Sequence, residues 1–515
     1  MARNLLHYLL SRFTNQVISI ASQILLVPIF LSRWSPQLYG EWLALSSLPI
    51  YLGNLDFGMN MAATNTLTAL YARGELDLYR RTQQSVIAYY LSLSAVSTLL
   101  ISLVVWRLPI GRWLNIHDVP ATSAALVVWL LAVQVLWKMP AGQIGNIFRC
   151  IGRASVTQWI ANASIVIGLV TTISTVLAGG SLIAVALVQL IPLGVVCITT
   201  ILMVRRETPD LAPSFAHGDY RLVRQLLKPS ALFGLIMIAM ALNIQAPILV
   251  IARMLGGTAV VAFATVRTLV NVARQVVTQI NHTLEPEITR LYARQDFERL
   301  RVLHRFAVAS CSTLSIAVAG ALWFHGGDVV RLWTHGKVHV SAGFLHLMLG
   351  YVVLHVVWLA SSTFSAATNK HRRLAWEFLG SNVLAVLFAI LSVHRFGLNA
   401  IPIGLILGDV IACYHFVIRD TCHLCREPYA FFAIRTWVGL ACVSAVALAA
   451  GSLSYQIQVG PMLLRWGLAG ILTLGASAGT AWYVWFLAED RKMFLAKWSQ
   501  IRSGLLAKRT LPSAG

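Results

Sequence analysis

Long apolar segments separated by short polar stretches run through almost the whole chain. A helix needs about 20 apolar residues to cross the hydrocarbon core of a bilayer. Segments of about that length extend over 15–33, 41–62, 84–106, 121–140, 158–178, 181–204, 229–252, 259–281, 304–324, 342–365, 375–393, 399–418, 434–453 and 464–487. This pattern predicts an all-α polytopic membrane protein with about fourteen transmembrane helices.

Short sequence motifs of the first half of the chain recur in the second half. The residues Leu70-Tyr71-Ala72-Arg73 return unchanged at 291–294, each time just after a pair of apolar segments. Three further pairs keep nearly the same offset, at 219, 221 and 217 residues: Pro28 with Pro247, Arg80 with Arg301, and Gly152-Arg153 with Asn369-Lys370. A duplicated helical bundle is typical of transporters that open a central site to each side of the membrane in turn.

The repeat divides the chain into two pseudo-symmetric six-helix lobes, which we expect at 1–204 and 229–418. A cytoplasmic linker at 205–228 joins them; it is either an amphipathic helix on the membrane surface that permits lobe motion or a solvated connector. Two extra helices with their preceding loop occupy 419–487, and a basic cytoplasmic tail follows at 488–515.

The charges of the chain are distributed by loop. Only 11% of the residues are charged and 57% are hydrophobic, whereas a soluble domain has about 25% charged residues. The net charge is +21, and 30 of the 40 Arg and Lys residues lie in the N-terminus, every second loop and the tail. This is the positive-inside pattern, so we expect both termini in the cytoplasm. The excess positive charge therefore reflects topology, and no nucleic-acid partner is expected.

Two arginines lie inside the eighth apolar segment. Arg267 and Arg274 are seven residues apart, which returns them to nearly the same helix face, with Asn271 between them. Burying an arginine in the bilayer costs at least about 2.5 kcal/mol, and the planar guanidinium suits phosphate. The stripe predicts a site for a dianionic group such as a pyrophosphate. Alternatively, the arginines pair with carboxylates and only hold helices together.

Two acidic residues are predicted at bilayer depth. Asp56 lies in the second segment at about the depth of Arg274, so the two side chains can form a pair across the lobes that a substrate phosphate displaces. Asn60 shares the predicted helix face of Asp56, and Asp409 lies at the centre of the twelfth segment. Both carboxylates are candidates for coupling transport to a proton or a sodium ion. The alternative for both is a structural hydrogen bond between helices.

Cysteine and histidine positions bear on metal binding. Cys422 and Cys425 have the spacing of a zinc half-site, but a second ligand pair would fall inside an apolar segment, so ordinary cytoplasmic thiols are expected. His325, His335 and His339 lie on the predicted outer face, where an interfacial loop is expected rather than a metal site or a pH sensor. We therefore expect no metal and no cofactor.

Three parts of the chain resemble signatures of the polysaccharide transporter family. They are Leu38-Tyr39-Gly40-Glu41-Trp42 continued by Tyr51 and Leu55-Asp56-Phe57-Gly58, then Leu284–Tyr292, and then Ala367–Arg372. The family includes Wzx-like O-antigen flippases and lies within the multidrug/oligosaccharidyl-lipid/polysaccharide exporter superfamily. The resemblance runs from the N-terminus to the end of the predicted second lobe.

The resemblance implies a transporter rather than an enzyme, located in the bacterial cytoplasmic (inner) membrane. Such a flippase moves an undecaprenyl-pyrophosphate-linked oligosaccharide from the inner to the outer leaflet by alternating access, alongside other polysaccharide assembly proteins. The product would be O-antigen, capsule or exopolysaccharide.

Other readings of the chain stay open. The last two helices resemble the extra pair of lipid II flippases, where they help to form a groove for the lipid tail. A flippase for another anionic lipid or for a lipid II-like precursor is the main alternative. A membrane glycan ligase or polymerase is less favoured, because the predicted outer loops are short.

Overall fold

The computed structural model describes residues 2–212, 219–368, 370, 372–457, 461–488 and 491. Three sequence predictions fall partly outside this range: the centre of the linker at 213–218, Asn369 of the internal repeat, and the basic tail except Ala488 and Arg491.

The described residues of the first half of the chain form nine α-helices. They are α1 Ala2–Arg33, α2 Pro36–Ile50, α3 Met59–Ala72, α4 Leu76–Val104, α5 Ile110–Trp113, α6 Ala121–Cys150, α7 Ala154–Leu177, α8 Leu182–Val188 and α9 Leu190–Glu207. The second half follows with α10 Tyr220–Leu255, α11 Gly257–Ala293, α12 Phe297–Trp333, α13 Ala342–Ala367, α14 Arg372–Phe396, α15 Ala400–Gly408, α16 His415–Cys425, α17 Tyr429–Gln456 and α18 Met462–Val484.

The helices have the length and composition expected of membrane spans. Among the described residues, twelve helical stretches are long and apolar enough to cross a membrane. Thirteen of the fourteen predicted segments overlap these twelve stretches along most of their length, and the eleventh and twelfth segments share the stretch Arg372–Cys425. The predicted fold class, an all-α polytopic membrane protein, is confirmed. The count of fourteen and the cytoplasmic termini stay predictions.

The stretch Arg372–Cys425 is two antiparallel segments rather than one long helix. Gly397 (φ 56°) lies in a 3-10 turn between α14 and α15. A Cβ added at Gly404 would lie 2.6 Å from the carbonyl oxygen of Ala385. Residues this far apart in sequence would be separated by about 28 Å in a straight helix. The chain therefore reverses at Gly397, as the two predicted segments require.

The second predicted segment, 41–62, is not one helix, and that expectation was wrong. A 3-10 turn covers Tyr51–Asn54 after α2, and α3 begins only at Met59. Phe57 (φ 46°) and Gly58 (φ 78°) have left-handed backbone conformations. A Cβ at Gly58 would also lie 2.5 Å from the Cβ of Phe233 in α10. The left-handed backbone at Phe57 and Gly58 ends the helical path here. Position 58 requires glycine, because a side chain would be strained at this φ angle and would overlap Phe233.

The chain divides into two compact units. Unit 1 comprises Met1–Thr268, Val330–Val340 and Phe378–Leu405, and unit 2 comprises Leu269–Val329, Ser341–Glu377 and Ile406–Gly515. The predicted lobe boundaries at 1–204 and 229–418 are a different division, based on the sequence repeat, and stay a prediction.

The internal repeat is visible in the local structure of each unit. The backbone N–H of Glu75 donates to Leu70, and that of Asp296 donates to Leu291, at 3.1 and 3.0 Å. These are matching C-terminal caps of α3 and α11, each with a left-handed residue at the turn, Gly74 or Gln295. The repeated Leu-Tyr-Ala-Arg sequence therefore ends a helix in the same way twice.

The repeat extends into side-chain contacts. Arg80 donates to the carbonyl oxygen of Asp210, and Arg301 donates to that of Arg426, so each arginine holds the loop that follows the last helix of its six-segment set. Equivalent buried clusters surround the caps: Leu67, Leu70 and Tyr79 with Phe148 in unit 1, and Ile288, Leu291 and Leu300 with Phe364 in unit 2.

The described ends of the linker are tied to α4. Gln83 donates to the carbonyl oxygen of Leu211 at 3.1 Å, and the Ser85 hydroxyl accepts from the N–H of Asp219 at 2.8 Å. The end of the predicted linker, from Tyr220 on, is the first part of α10, which continues without interruption into the seventh segment. Val223 of this stretch is buried against α3 and α4.

Candidate functional site

Asp56 lies at the break between α2 and α3, and its carboxylate holds that break in place. It accepts hydrogen bonds from the backbone N–H groups of Gly58 (3.1 Å) and Asn60 (3.3 Å), and from the hydroxyl of Tyr90 (2.8 Å). Asp56 is 7% exposed. A carboxylate with these donors caps the N-terminus of α3. Interrupted helices of this kind form binding sites in transporters.

Asn60 is the second residue of α3 and belongs to a cluster of amides and hydroxyls. The Asn146 amide of α6 donates to the side-chain oxygen of Asn60 at 2.9 Å and to the Thr64 hydroxyl at 3.0 Å. Gln143 lies one turn before Asn146, with its oxygen 3.4 Å from the same amide. In this structure Asn60 thus joins α3 to α6, which is the structural alternative to its predicted role in binding substrate.

Arg267 lies half-buried on α11, in the part of the helix that belongs to unit 1. Its guanidinium donates to the carbonyl oxygen of Ile244 in α10 and lies 5.0 Å from the ring centre of Phe263. The main-chain oxygen and the ring face both favour the cation. These contacts anchor Arg267 to α10, so its predicted role in binding substrate would require it to share its donors with an anion.

Arg274 and Asn271 lie further along α11, in the part that belongs to unit 2, and both are half-buried. The hydroxyl of Thr278, one turn further along α11, donates to the backbone carbonyl of Arg274 at 2.9 Å. This hydrogen bond does not involve the guanidinium of Arg274. The unit boundary separates Arg274 from Asp56 and Arg267. The predicted Asp56–Arg274 pair and the shared phosphate site therefore stay predictions.

Asp409 pairs with a histidine inside unit 2. His355 Nδ1 lies 2.8 Å from Asp409 Oδ2, and the hydroxyl of Tyr351 lies 3.2 Å from the same nitrogen. His355 is 2% exposed and Asp409 is 3% exposed. Asp409 begins the π-helical turn Asp409–Tyr414, a feature that is frequent at functional sites. A buried acid and base within hydrogen-bond distance of each other are a candidate coupling site.

Sequence reasoning missed His355 and Tyr90, the partners of the two acidic residues. His355 is an ionisable residue within the tenth apolar segment, and the rule that singled out Asp409 applies to it as well. Tyr90 gives no such signal, because a tyrosine in an apolar helix is ordinary. His325 was expected in an interfacial loop; instead it is buried in α12, with its Nε2 3.2 Å from the Ser454 hydroxyl of α17.

An apolar cavity of about 340 Å³ lies between α12, α13 and α17 in unit 2. Its walls include Gly320, Trp323, Gly350, Leu354, Trp437 and Leu448. Small residues bring α17 close to α12: a Cβ at Gly451 would lie 2.5 Å from the carbonyl oxygen of Gly320. The first of the two extra helices therefore forms one wall of the cavity, while α18 packs along α17. The volume is in the range of small-molecule sites.

The sequence matches no family model and no curated protein. The structure is similar to solved membrane transporters. An inward-facing MATE-family multidrug resistance transporter of the MOP superfamily aligns at TM-score 0.66 and 14% identity, over 80% of this chain and 95% of its own. The lipid II flippase MurJ, in an inward closed conformation, aligns at TM-score 0.65 and 12% identity, over 92% of this chain and 98% of its own. A MOP-superfamily transporter from Pyrococcus furiosus aligns at TM-score 0.56 and 13% identity, over 82% and 96%.

The chain has the MATE and MurJ fold. Solved MATE structures with this fold include inward-facing and outward-facing conformations. At these identities the likeness establishes the fold and leaves the substrate to other arguments.

One contact in this MATE-like and MurJ-like chain joins α2 to the turn between α10 and α11. A Cβ at Gly40 would lie 1.9 Å from the carbonyl oxygen of Gly257. The side-chain oxygen of Gln37 accepts from both the N–H and the hydroxyl of Thr258, at 3.1 Å each. Glu41 accepts from the N–H of His117 at 2.7 Å and orders the loop before α6. The positive-inside pattern predicts that this contact lies on the outer face.

The variant Gly40→Val is expected to separate α2 from the α10–α11 turn, because the added side chain overlaps the main chain of Gly257. Overpacking of this kind costs about 1–3 kcal/mol. That is enough to raise the fraction of molecules in which this contact is broken about tenfold. The measurement is labelling of a cysteine at Thr258 by a membrane-impermeant maleimide. Gly111→Val is the control, since a Cβ at Gly111 meets nothing within 4 Å. Equal labelling in both variants would show that the contact does not open.

Proposed function

We propose that the protein is a flippase that moves an undecaprenyl-pyrophosphate-linked oligosaccharide from the inner to the outer leaflet of the bacterial cytoplasmic membrane. It works by alternating access and serves the biosynthesis of a surface polysaccharide, which is O-antigen, capsule or exopolysaccharide. It carries out no covalent chemistry. A proton or sodium ion supplies the driving force, through Asp409 and His355 or through Asp56.

The observation that carries this proposal is the apolar cavity in unit 2. A cavity lined by Trp323, Leu354, Trp437 and Leu448 offers few hydrogen-bonding groups to a water-soluble drug. An isoprenoid tail, in contrast, gains about 0.8 kcal/mol for each CH₂ group that it buries. The wall formed by α17 adds to this argument, because MurJ, a lipid flippase, aligns over 92% of this chain. A lipid tail is therefore the ligand that fits the cavity best.

The head group is assigned from the charged residues of α11. A pyrophosphate carries at least two negative charges, and Arg267 and Arg274 are the two arginines of the predicted membrane stripe. Guanidinium groups bind such oxyanions through paired hydrogen bonds. The uncharged side chains nearby, including Asn271 and Thr278, offer donors and acceptors for sugar hydroxyls.

A reconstituted assay tests the proposal. Purified protein is placed in liposomes that carry a fluorescent undecaprenyl-pyrophosphate-linked oligosaccharide, and the fraction of glycan that reaches the opposite leaflet is followed with an impermeant glycosidase. We expect transport that requires both the pyrophosphate and the long tail. Transport of a tail-free glycan at the same rate would overturn the proposal.

A flippase for a lipid II-like precursor is the second candidate, and the extent of the MurJ alignment favours it. The two candidates differ in the head group that is carried. A competition between undecaprenyl-pyrophosphate-linked oligosaccharide and lipid II in the same liposomes separates them. Exclusive transport of lipid II would replace the first proposal by the second.

Filling the cavity is expected to impair transport without unfolding the protein. A side chain added at Gly350 enters open space, because a Cβ there meets nothing within 4 Å. Gly350→Phe would displace part of the lipid tail, and the loss of two CH₂ contacts already lowers affinity about tenfold. Gly343→Phe is the matched control on α13, at an exposed position where a Cβ is equally free. Initial flipping rates as a function of lipid concentration measure the effect; equal rates for both variants would show that the tail lies elsewhere.

A further inference from the structure

Three buried side chains converge where α12, α16 and the start of α17 meet in unit 2. They are His304 on α12, Cys422 near the end of α16, and Glu427 in the short loop before α17. His304 and Cys422 are 0% exposed, and Glu427 is 5% exposed. The ligand atoms of the three residues (an imidazole nitrogen, the sulfur and a carboxylate oxygen) all lie within 4.8 Å of one another.

Two atoms of this cluster face each other without a hydrogen bond. His304 Nδ1 and Glu427 Oε2 are both buried, and neither has a hydrogen-bond partner among the described residues. They lie 3.8 Å apart, which is too far for a hydrogen bond between them. Leaving such atoms unsatisfied costs about 1–3 kcal/mol each. Both atoms therefore need a partner that the described side chains do not provide.

The surrounding contacts orient the imidazole. His304 Nε2 lies 3.0 Å from the Ser361 hydroxyl oxygen. That hydroxyl also donates to the carbonyl oxygen of Val357 at 3.3 Å, which leaves its oxygen able to accept from Nε2. In the tautomer that donates from Nε2 to this hydroxyl, Nδ1 presents a lone pair to the carboxylate. Two electron-pair donors that face each other in a buried site call for a cation between them.

The remaining neighbours fix the ligands in position. The ring of His304 stacks on Phe432 at 4.5 Å and meets the edge of Phe364 at 5.0 Å. Arg305 Nε donates to the other carboxylate oxygen of Glu427 at 2.7 Å. Oriented ligands with partners of their own are characteristic of metal sites.

We propose that His304, Cys422 and Glu427 bind a divalent transition-metal ion, with Zn²⁺ the best match. Metal–ligand bonds of about 2.1 Å in a tetrahedral arrangement place two ligand atoms about 3.4 Å apart, close to the observed 3.8 Å separation. Nitrogen, thiolate sulfur and carboxylate oxygen form a set that Zn²⁺ accepts, with water in the fourth position. A thiolate and a carboxylate together balance the two charges of the ion.

This site differs from the zinc half-site that the spacing of Cys422 and Cys425 suggests in the sequence. Glu427 follows the C-terminal cap of α16, where Arg426 is left-handed (φ 56°). The backbone N–H of Glu427 donates to the carbonyl oxygen of Cys422 at 2.8 Å. That turn, rather than the Cys-x-x-Cys spacing, brings the carboxylate back towards Cys422. The metal would link α12 to α16 and to the beginning of the first extra helix.

Metal binding by the purified full-length protein tests the proposal independently of transport. The chain is stripped with a chelator, incubated with Zn²⁺ against a competing chromophoric chelator, and its bound metal is counted by mass spectrometry. We expect one Zn²⁺ per chain, with affinity lowered at least about 100-fold in His304→Gln, Cys422→Ser and Glu427→Gln, since even partners of metal ligands are worth 10–100-fold. Cys425→Ser is the matched control, a buried cysteine on the same helix, and should retain the metal.

Co²⁺ provides a second readout that does not depend on comparing the stability of variants. The wild-type protein with Co²⁺ should show the thiolate-to-cobalt charge-transfer band, and Cys422→Ser should lose it while Cys425→Ser keeps it. Wild-type protein that binds neither Zn²⁺ nor Co²⁺ overturns the site and leaves a protonated His304 as the cation. Equal loss in the two cysteine variants would assign binding to the Cys-x-x-Cys pair and would also overturn it.

Discussion

Replacing Arg274 with alanine is expected to lower the rate of flipping at least about 100-fold while the protein still folds and inserts. Each hydrogen bond to a charged group contributes about 1.5–3 kcal/mol, and a guanidinium can form two of them with a pyrophosphate. Arg274→Lys should restore only part of the rate, because the ammonium keeps the charge and loses the planar fork. Flipping in proteoliposomes measures the rate, and thermal unfolding of the same samples measures stability.

The matched control for Arg274 is Arg299, an exposed arginine near the start of α12 that lies 3.5 Å from Asp296. Arg299→Ala is expected to retain the wild-type rate, since exposed ion pairs contribute little. If Arg274→Ala loses transport only in proportion to its loss of folded protein, the residue is structural and the phosphate site fails.

The contacts of Asp56 determine which variant can test its part in this site. A charge swap with Arg274 would not be informative, because an arginine at position 56 cannot accept from the N–H groups of Gly58 and Asn60 and would undo the cap of α3. Asp56→Asn keeps an acceptor oxygen and removes the charge. A milder loss than that of Arg274→Ala would fit a carboxylate that holds the helix break; an equal loss would assign the coupling ion to Asp56.

Removing either member of the His355–Asp409 pair is expected to abolish the response of transport to an imposed proton gradient. The two side chains are buried within hydrogen-bond distance of each other and can hold a proton between them. Asp409→Asn and His355→Gln keep hydrogen bonding and remove the exchangeable charge. The rate in the absence of a gradient should fall less than the gradient-driven rate, which we expect to drop at least about tenfold. The measurement is flipping with and without a pH step across the liposome membrane.

The control on the same helix is His346→Gln. His346 stacks on Trp323 at 3.9 Å, and its Nε2 lies 3.0 Å from the main-chain oxygen of Trp323, whereas His355 faces a carboxylate. It should keep the gradient response. A gradient response that survives in Asp409→Asn, with only the unfolding temperature lowered, would make the His355–Asp409 hydrogen bond structural and would move the search for a coupling ion to Asp56.

Much of the fold follows from local sequence patterns. Thirteen of the fourteen apolar segments lie for the most part in helices of membrane-spanning length, because the length of an apolar run and the cost of exposing main chain to lipid fix a helix without reference to its neighbours. The repeated Leu-Tyr-Ala-Arg sequence likewise ends α3 and α11 with the same cap. A helix cap depends on a few adjacent residues, so a repeated sequence is enough to predict a repeated cap.

The helix break at Asp56 shows where local patterns stop. Residues 41–62 are predicted as one continuous span, but Gly58 meets Phe233 of α10 and the Asp56 carboxylate accepts from Tyr90 of α4. Both contacts join residues that are distant in sequence. Hydropathy records how much a residue avoids water, and it does not record which neighbour lies against it.

What the sequence by itself determined is the membrane-spanning, duplicated helical architecture and the charged residues that the bilayer makes costly. What only the tertiary structure decided is their partners: His355 for Asp409, Asn146 for Asn60, and His304 and Glu427 for Cys422. The physical reason is that each partnership depends on the rotation and depth of two helices. Those are set by packing across the whole bundle, where close contact and satisfied polar groups outweigh any preference of a single segment.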